Sequence, residues 1–141
     1  MRGKLGVMVV CAAVVFGLTL AADEKAPESY STAMKSAGAT AAPLRMKLMA
    51  TPKDFDAIAK DAATFRGIFA TALDYWTQKK VDDAVSMARA AGTAAADLET
   101  ADKAKNEEGV TTAGAKVVGA CAGCHMAHRS ARLPDGSYEI K

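Results

Sequence analysis

Apolar positions recur every three or four residues from Tyr30 to His128, and four such stripes divide the chain into four helices. The first stripe is Tyr30, Met34, Ala37, Ala41, Leu44 and Leu48, with Pro27 as a natural first-turn residue. Pro43 falls inside it. A proline removes one backbone donor and presses on the preceding turn, so the pattern predicts a break near residues 40–43 and a second segment through Met49. Thr51-Pro52-Lys53-Asp54 then reads as a helix start, with Thr51 as N-cap and Pro52 in the first position. The stripe that follows, Phe55, Ile58, Ala62, Phe65, Phe69, Ala72 and Trp76, carries most of the large apolar volume of the chain.

The third helix is marked by Ala84, Met87, Ala91, Ala94, Leu98 and Ala101, a face of small residues that lets neighbouring helices come close. The charged run Glu99 to Glu108 ends it and forms a turn. The fourth helix begins around Asn106 to Glu108 and carries two adjoining stripes. One is Val110, Ala113, Val117, Ala120, Cys124 and Ala127; the other is Gly114, Val118, Cys121, His125 and His128. Leu133-Pro134-Asp135-Gly136 ends this helix, and a short tail follows. With four helices, short connections and no convincing strand, the expected fold is an all-α antiparallel four-helix bundle, in which cofactors bind between facing helices.

The first 22 residues do not belong to that pattern. Arg2 and Lys4 precede an apolar run from Leu5 to Leu20, and Ala21 and Ala22 stand before Asp23-Glu24-Lys25. This is the layout of a secretory signal peptide over residues 1–22, which leaves one domain over residues 23–141 and no membrane attachment after cleavage. Cleavage removes Arg2, Lys4 and no acid, so the formal charge falls from +2 to 0. A neutral domain lacks the basic excess that nucleic-acid binding needs. Cys11 leaves as well, and the two remaining cysteines are Cys121 and Cys124.

Those two cysteines carry the candidate chemistry. Cys121-Ala122-Gly123-Cys124-His125 is the C-x-x-C-H pattern of c-type haem attachment. Each thiol adds to one porphyrin vinyl group, and the adjacent histidine supplies an axial ligand to iron. An exported pair of cysteines could instead form a disulfide, but His125 directly after Cys124 and attachment of haem on the export side both favour thioethers. Cys121, Cys124, His125 and His128 fall at i, i+3, i+4 and i+7 of one helix and span about 10 Å of its axis. A tetrahedral zinc shell with bonds of about 2.0–2.3 Å does not close over that span. Gly114, Gly119 and Gly123 each cost the helix about 1 kcal/mol against alanine. A flat group lying against the helix would account for them, as would close helix packing at Gly114.

With the motif placed late in a four-helix chain, the sequence resembles the class II c-type cytochromes, which include cytochrome c′ and the low-spin cytochromes c556. The resemblance lies in Cys121-x-x-Cys124-His125-x-x-x-Arg129, in helix number and order, and in Ala33-Met34-Lys35-Ser36-Ala37-Gly38 of the first helix. It implies one covalent haem c held by Cys121 and Cys124, His125 as proximal iron ligand, and Arg129 beside it. It further implies a periplasmic location in a Gram-negative-type bacterium, redox partner proteins, and homodimers in many members. Tyr30 departs from the pattern, because many members have arginine there, near a haem propionate.

The second axial position divides two functions. His128 lies on the proximal helix and cannot reach it, so methionine is the best remaining ligand. Met126 is excluded on the same ground, which leaves Met34, Met46, Met49 and Met87. Resemblance to the cytochromes c556 implies Met34 as distal ligand, against a packing role for the same side chain. The expected function is then single-electron transport by a low-spin His/Met haem, not enzyme catalysis. The alternative is a five-coordinate, cytochrome c′-like protein that binds nitric oxide or carbon monoxide.

Overall fold

The computed structural model describes residues 24–141. The signal segment expected over residues 1–22 therefore lies outside the described residues. Four helices account for most of the described chain: α1 (Glu28–Met49), α2 (Phe55–Lys79), α3 (Asp82–Lys103) and α4 (Glu107–His128). Each helix packs on the next, and α4 returns to α1. No helix among the described residues is long and apolar enough to cross a membrane.

Most positions of the predicted stripes face the core, while Ala127 is exposed and Phe55, Met87, Ala101 and Ala120 are half-buried. Ile58, Ala62, Phe65 and Phe69 of α2 meet Leu44 and Leu48 of α1, Leu98 of α3 and Val110 and Val117 of α4 in one core. Alanines fill most of the inward face of α3, at positions 84, 88, 91, 94 and 95. A second cluster at one end of the bundle gathers Tyr30, Tyr75 and Trp76 with Ala72, Ala84 and Ala88. The Tyr30 and Tyr75 rings lie 4.4 Å apart, and Trp76 meets both edge-on.

Three expectations need correction. The break near residues 40–43 does not occur, and α1 runs unbroken through Pro43. Pro43 stands on the exposed side, while Leu44 and Leu48 are buried and anchor the following turns to the core, which outweighs one lost backbone bond. The N-cap of α2 is Asp54 rather than Thr51: its carboxylate accepts the Ala57 N–H at 2.9 Å. Thr51 and Pro52 belong to the connection. Asn106 caps α4 in the same way, accepting the Gly109 N–H at 3.0 Å.

The third correction concerns strands. α4 ends at His128, earlier than Leu133, and the chain turns into extended backbone. A three-stranded antiparallel sheet forms from β1 (Glu24–Lys25), β2 (Arg129–Arg132) and β3 (Tyr138–Ile140), in the order β1-β3-β2. The turn between β2 and β3 closes with Gly136 N–H donating to the Leu133 carbonyl at 2.9 Å, and Gly136 takes φ +79°, where glycine carries no side-chain penalty. The expected tail is thus a hairpin folded against the end of the bundle. Lys25 Nζ holds Asp135 Oδ2 at 2.6 Å across it.

Candidate functional site

α1, α4 and the small sheet enclose a cavity of about 370 Å³, within the usual range for ligand sites of about 300–1,000 Å³. Met34 lines it from α1, Cys121, Cys124 and His125 line it from α4, and Arg129 lines it from the start of β2. All five residues singled out by sequence therefore meet at one place. A smaller void of about 30 Å³ adjoins it, bounded by Met34, Phe69, Met87 and Ala91 together with the two cysteines and His125.

The geometry sorts the methionines. Met34 lines both spaces and touches both core clusters. Met87 reaches the smaller void alone. Met46, Met49 and Met126 are exposed and line neither. Helix phase is the cause: Met34 shares the inward stripe with Tyr30, Ala37 and Ala41, whereas Met46 and Met49 fall on the outward side of α1.

Cys121 and Cys124 carry free thiols, half-buried on the same face of α4. Burial pushes both thiols above the ordinary cysteine value, so they stay protonated at neutral pH. His125 is also half-buried. Burial first, and then the charge of Arg129, lower its pKa and favour the neutral imidazole that can ligate a metal. Arg129 Nη1 lies 3.3 Å from His125 Nδ1; a guanidinium only donates, so a hydrogen bond here leaves the ring proton on Nε2, and the contact must give way before Nε2 can ligate a metal. The same guanidinium stacks over the Tyr138 ring at 4.1 Å, which fixes Arg129 between the motif and the hairpin. Its position as first residue of β2, rather than last residue of a helix, makes both contacts.

Some of the lining escaped sequence reasoning. Gly136, Ser137, Tyr138 and Ile140 form a wall contributed by the hairpin, and Lys35 stands at the rim with its amine 3.3 Å from the Asp135 carbonyl. The alternation Tyr138-Glu139-Ile140 was the available signal, but three residues are too short a run to read as a strand. His128 is buried at 8 % exposure and packs on Trp76, with ring centroids 4.9 Å apart. Its Nε2 lies 3.1 Å from Asp83 Oδ2, yet off the angle of a hydrogen bond, and Trp76 Nε1 is likewise buried without a partner. Gly114 packs against Leu48, since a Cβ there would fall 2.5 Å from Leu48 Cδ1, which makes it a helix-contact glycine. Apart from the backbone of α4 itself and the adjacent residues, no protein atom lies within 4 Å of where a Cβ would stand on Gly119 or Gly123.

No protein-family model, curated protein or solved structure matches this chain.

Proposed function

We propose that this chain is an exported single-haem electron carrier of the class II cytochrome c type, folded as an antiparallel bundle. The observation that carries the reading is the convergence of Met34, Cys121, Cys124 and His125 on one cavity, from two helices that are 87 or more residues apart in sequence. The residues suit the group. Two free thiols on one helix face can take up the vinyl groups, and a neutral imidazole one residue later can ligate iron. The lining supplies largely apolar walls. The short connections of residues 50–54, 80–81 and 104–106 support the antiparallel order.

A haem bound there supplies a one-electron ferric/ferrous couple. The protein residues do the rest. Cys121 and Cys124 hold the group covalently, His125 orients it, and Met34 offers a thioether sulfur from the opposite helix. Arg129 is held beside His125 by Tyr138 and places a fixed positive charge at the cavity. The hairpin residues Ser137, Tyr138 and Ile140 narrow solvent access. The second reading, a five-coordinate gas binder, is favoured by the small apolar void beside Met34 and Phe69, which is large enough for a diatomic molecule.

Absorption spectra of both oxidation states separate the two. A low-spin spectrum with a methionine-to-ferric charge-transfer band supports the carrier. A high-spin spectrum with ready carbon monoxide uptake favours the gas binder. Intact mass showing two unmodified thiols in exported protein would remove the haem from either reading.

A further inference from the structure

We infer that the face where α1 and α4 meet, at the mouth of the cavity, is a docking surface for an acidic redox protein. The inference rests on the electron-carrier reading and adds the chemistry of the partner. Residues 29–53, which include almost all of α1, contain no aspartate or glutamate and four cations: Lys35, Arg45, Lys47 and Lys53. Residues 109–134, covering most of α4 and all of β2, again contain no carboxylate, with Lys116, Arg129 and Arg132 as cations. Helices α2 and α3 carry eight carboxylates between them. The carboxylates of α1 and α4 are thus confined to their first turns, at Glu28, Glu107 and Glu108, and the rest of both helices carries cations alone.

Several of these cations stand at the mouth. Lys35 and Arg129 line the cavity. Arg45 is close enough for its charge to act on the Cys121 thiol. Arg132 follows Arg129 on β2, with its guanidinium beside Gly136 of the cavity wall. Arg45 and Arg132 are exposed, and neither has a carboxylate within bridging distance among the described residues. Lys47 is the exception, tied to Asp61 of α2 at 2.7 Å. Among acids near the cavity, Asp135 is neutralised by Lys25, and Asp83 of α3 is the exposed one, lying 3.1 Å from His128 with its charge reaching Cys124. Glu139 alternates with Tyr138 and Ile140, so it points away from the wall those two form.

Small exposed apolar residues, Gly38 and Ala42 on α1 and Ala122 and Met126 on α4, accompany the cations on these two helices. A modest apolar patch bordered by one sign of charge suits a fast, transient encounter, in which charge steers approach and little area is buried. A second copy docking through the same face would oppose like charges, which costs several kcal/mol. An anionic membrane would be met by exposed Trp, Phe or Leu on such a face; here the exposed apolar residues are glycine, alanine and methionine.

The test uses the holoprotein, ¹⁵N-labelled and reduced, titrated with poly-glutamate. Amide shifts should concentrate in residues 35–45 and 122–132. They should fade as ionic strength rises from about 10 mM to about 100 mM, where the screening length falls from about 30 Å to about 10 Å. The double variant Arg45→Glu/Arg132→Glu should bind about tenfold more weakly with an unchanged absorption spectrum. Its oxidation by anionic hexacyanoferrate(III), which takes one electron from the protein and becomes hexacyanoferrate(II), should slow. Oxidation by the cationic tris(phenanthroline)cobalt(III) should quicken. Shifts centred on the cations of α2 and α3, or binding unchanged in the double variant, would overturn the inference. So would sedimentation with phosphatidylserine-rich vesicles without any response to poly-glutamate. A protein that carries no haem but keeps the shifts overturns the carrier reading alone; a haem protein without them overturns the docking surface alone.

Discussion

Gly114→Ala probes the seam between α1 and α4. A methyl at that position would sit 2.5 and 2.6 Å from the two Leu48 methyl carbons, against an ordinary carbon–carbon contact of about 3.5–4.0 Å. Leu48 is buried and Gly114 is buried beneath it, so something must move by about 1 Å. Overpacking of this kind costs about 1–3 kcal/mol, and alanine returns about 1 kcal/mol of helix propensity. The net expectation is a loss near 1 kcal/mol, a fall in Tm of about 4 °C for a domain of this size. Thermal melts of Gly114→Ala, Leu48→Ala and the double variant give the coupling. Leu48→Ala alone should cost about 2–5 kcal/mol. The double variant should be more stable than additivity predicts by at least about 0.5 kcal/mol, because the new methyl fills part of the vacated space. A rise in Tm for Gly114→Ala, or additive effects, would refute a tight seam.

Further outcomes follow from single contacts. Met34→Ala should leave haem attached and remove the methionine charge-transfer band, giving a high-spin spectrum; an unchanged spectrum would mean Met34 only packs. Asp54→Ala should cost about 1 kcal/mol in a denaturant titration by releasing the Ala57 N–H, with Asp54→Asn restoring most of it. In chain made without haem, the lowered pKa of His125 means that the unfolded state binds the proton first as pH falls. Its contribution to stability is complete above the ordinary histidine value of about 6.5 and declines below it. Urea midpoints for wild type and His125→Gln, compared on both sides of that pH, should diverge in that direction; a wild-type gain on acidification would contradict the shift.

The four helices were legible because their inward faces repeat with helical period, and Ile58, Phe65, Leu98 and Val117 lie where that period puts them. Their ends were harder to read. No glycine closes α2 or α3: Lys80 and Lys105 take the left-handed conformation instead, at φ 57° and 54°. Pro43 argued for a break, but tertiary anchoring by Leu44 and Leu48 overrode a local cost. The motif half of the site could be read from spacing, since Cys121, Cys124 and His125 are neighbours on one helix. The hairpin half could not. Arg129 and Tyr138 meet through a turn whose Pro-Asp-Gly sequence fits a helix stop as well as a hairpin. The pairing of Glu24 with Ile140 joins residues 116 apart, and no local pattern encodes it.

The same seam explains why the cavity lies where it does. At the Leu48 end, α1 and α4 are filled by Leu44, Leu48, Val110 and Val117, with Gly114 making room. Toward the other end the facing residues shrink to Ala37, Gly38 and Ala41 against Cys121 and Cys124, until the Tyr30, Tyr75 and Trp76 cluster closes the bundle. Side-chain volume thus falls along the seam, and about 370 Å³ is left open. An enclosed void of that size would cost up to about 9 kcal/mol at about 24 cal/mol per Å³, comparable to the whole stability of a domain. Water entering through the mouth lowers the figure, and the proposed haem would replace that water with apolar contact. Chain made without haem should therefore melt well below the haem-bearing protein. Hydrogen exchange should locate the loss in the first half of α1 and in the hairpin, with the α2–α3–α4 core keeping its protection. Equal melting temperatures, or loosening spread evenly over all four helices, would show that the cavity is not the place where a cofactor completes this protein.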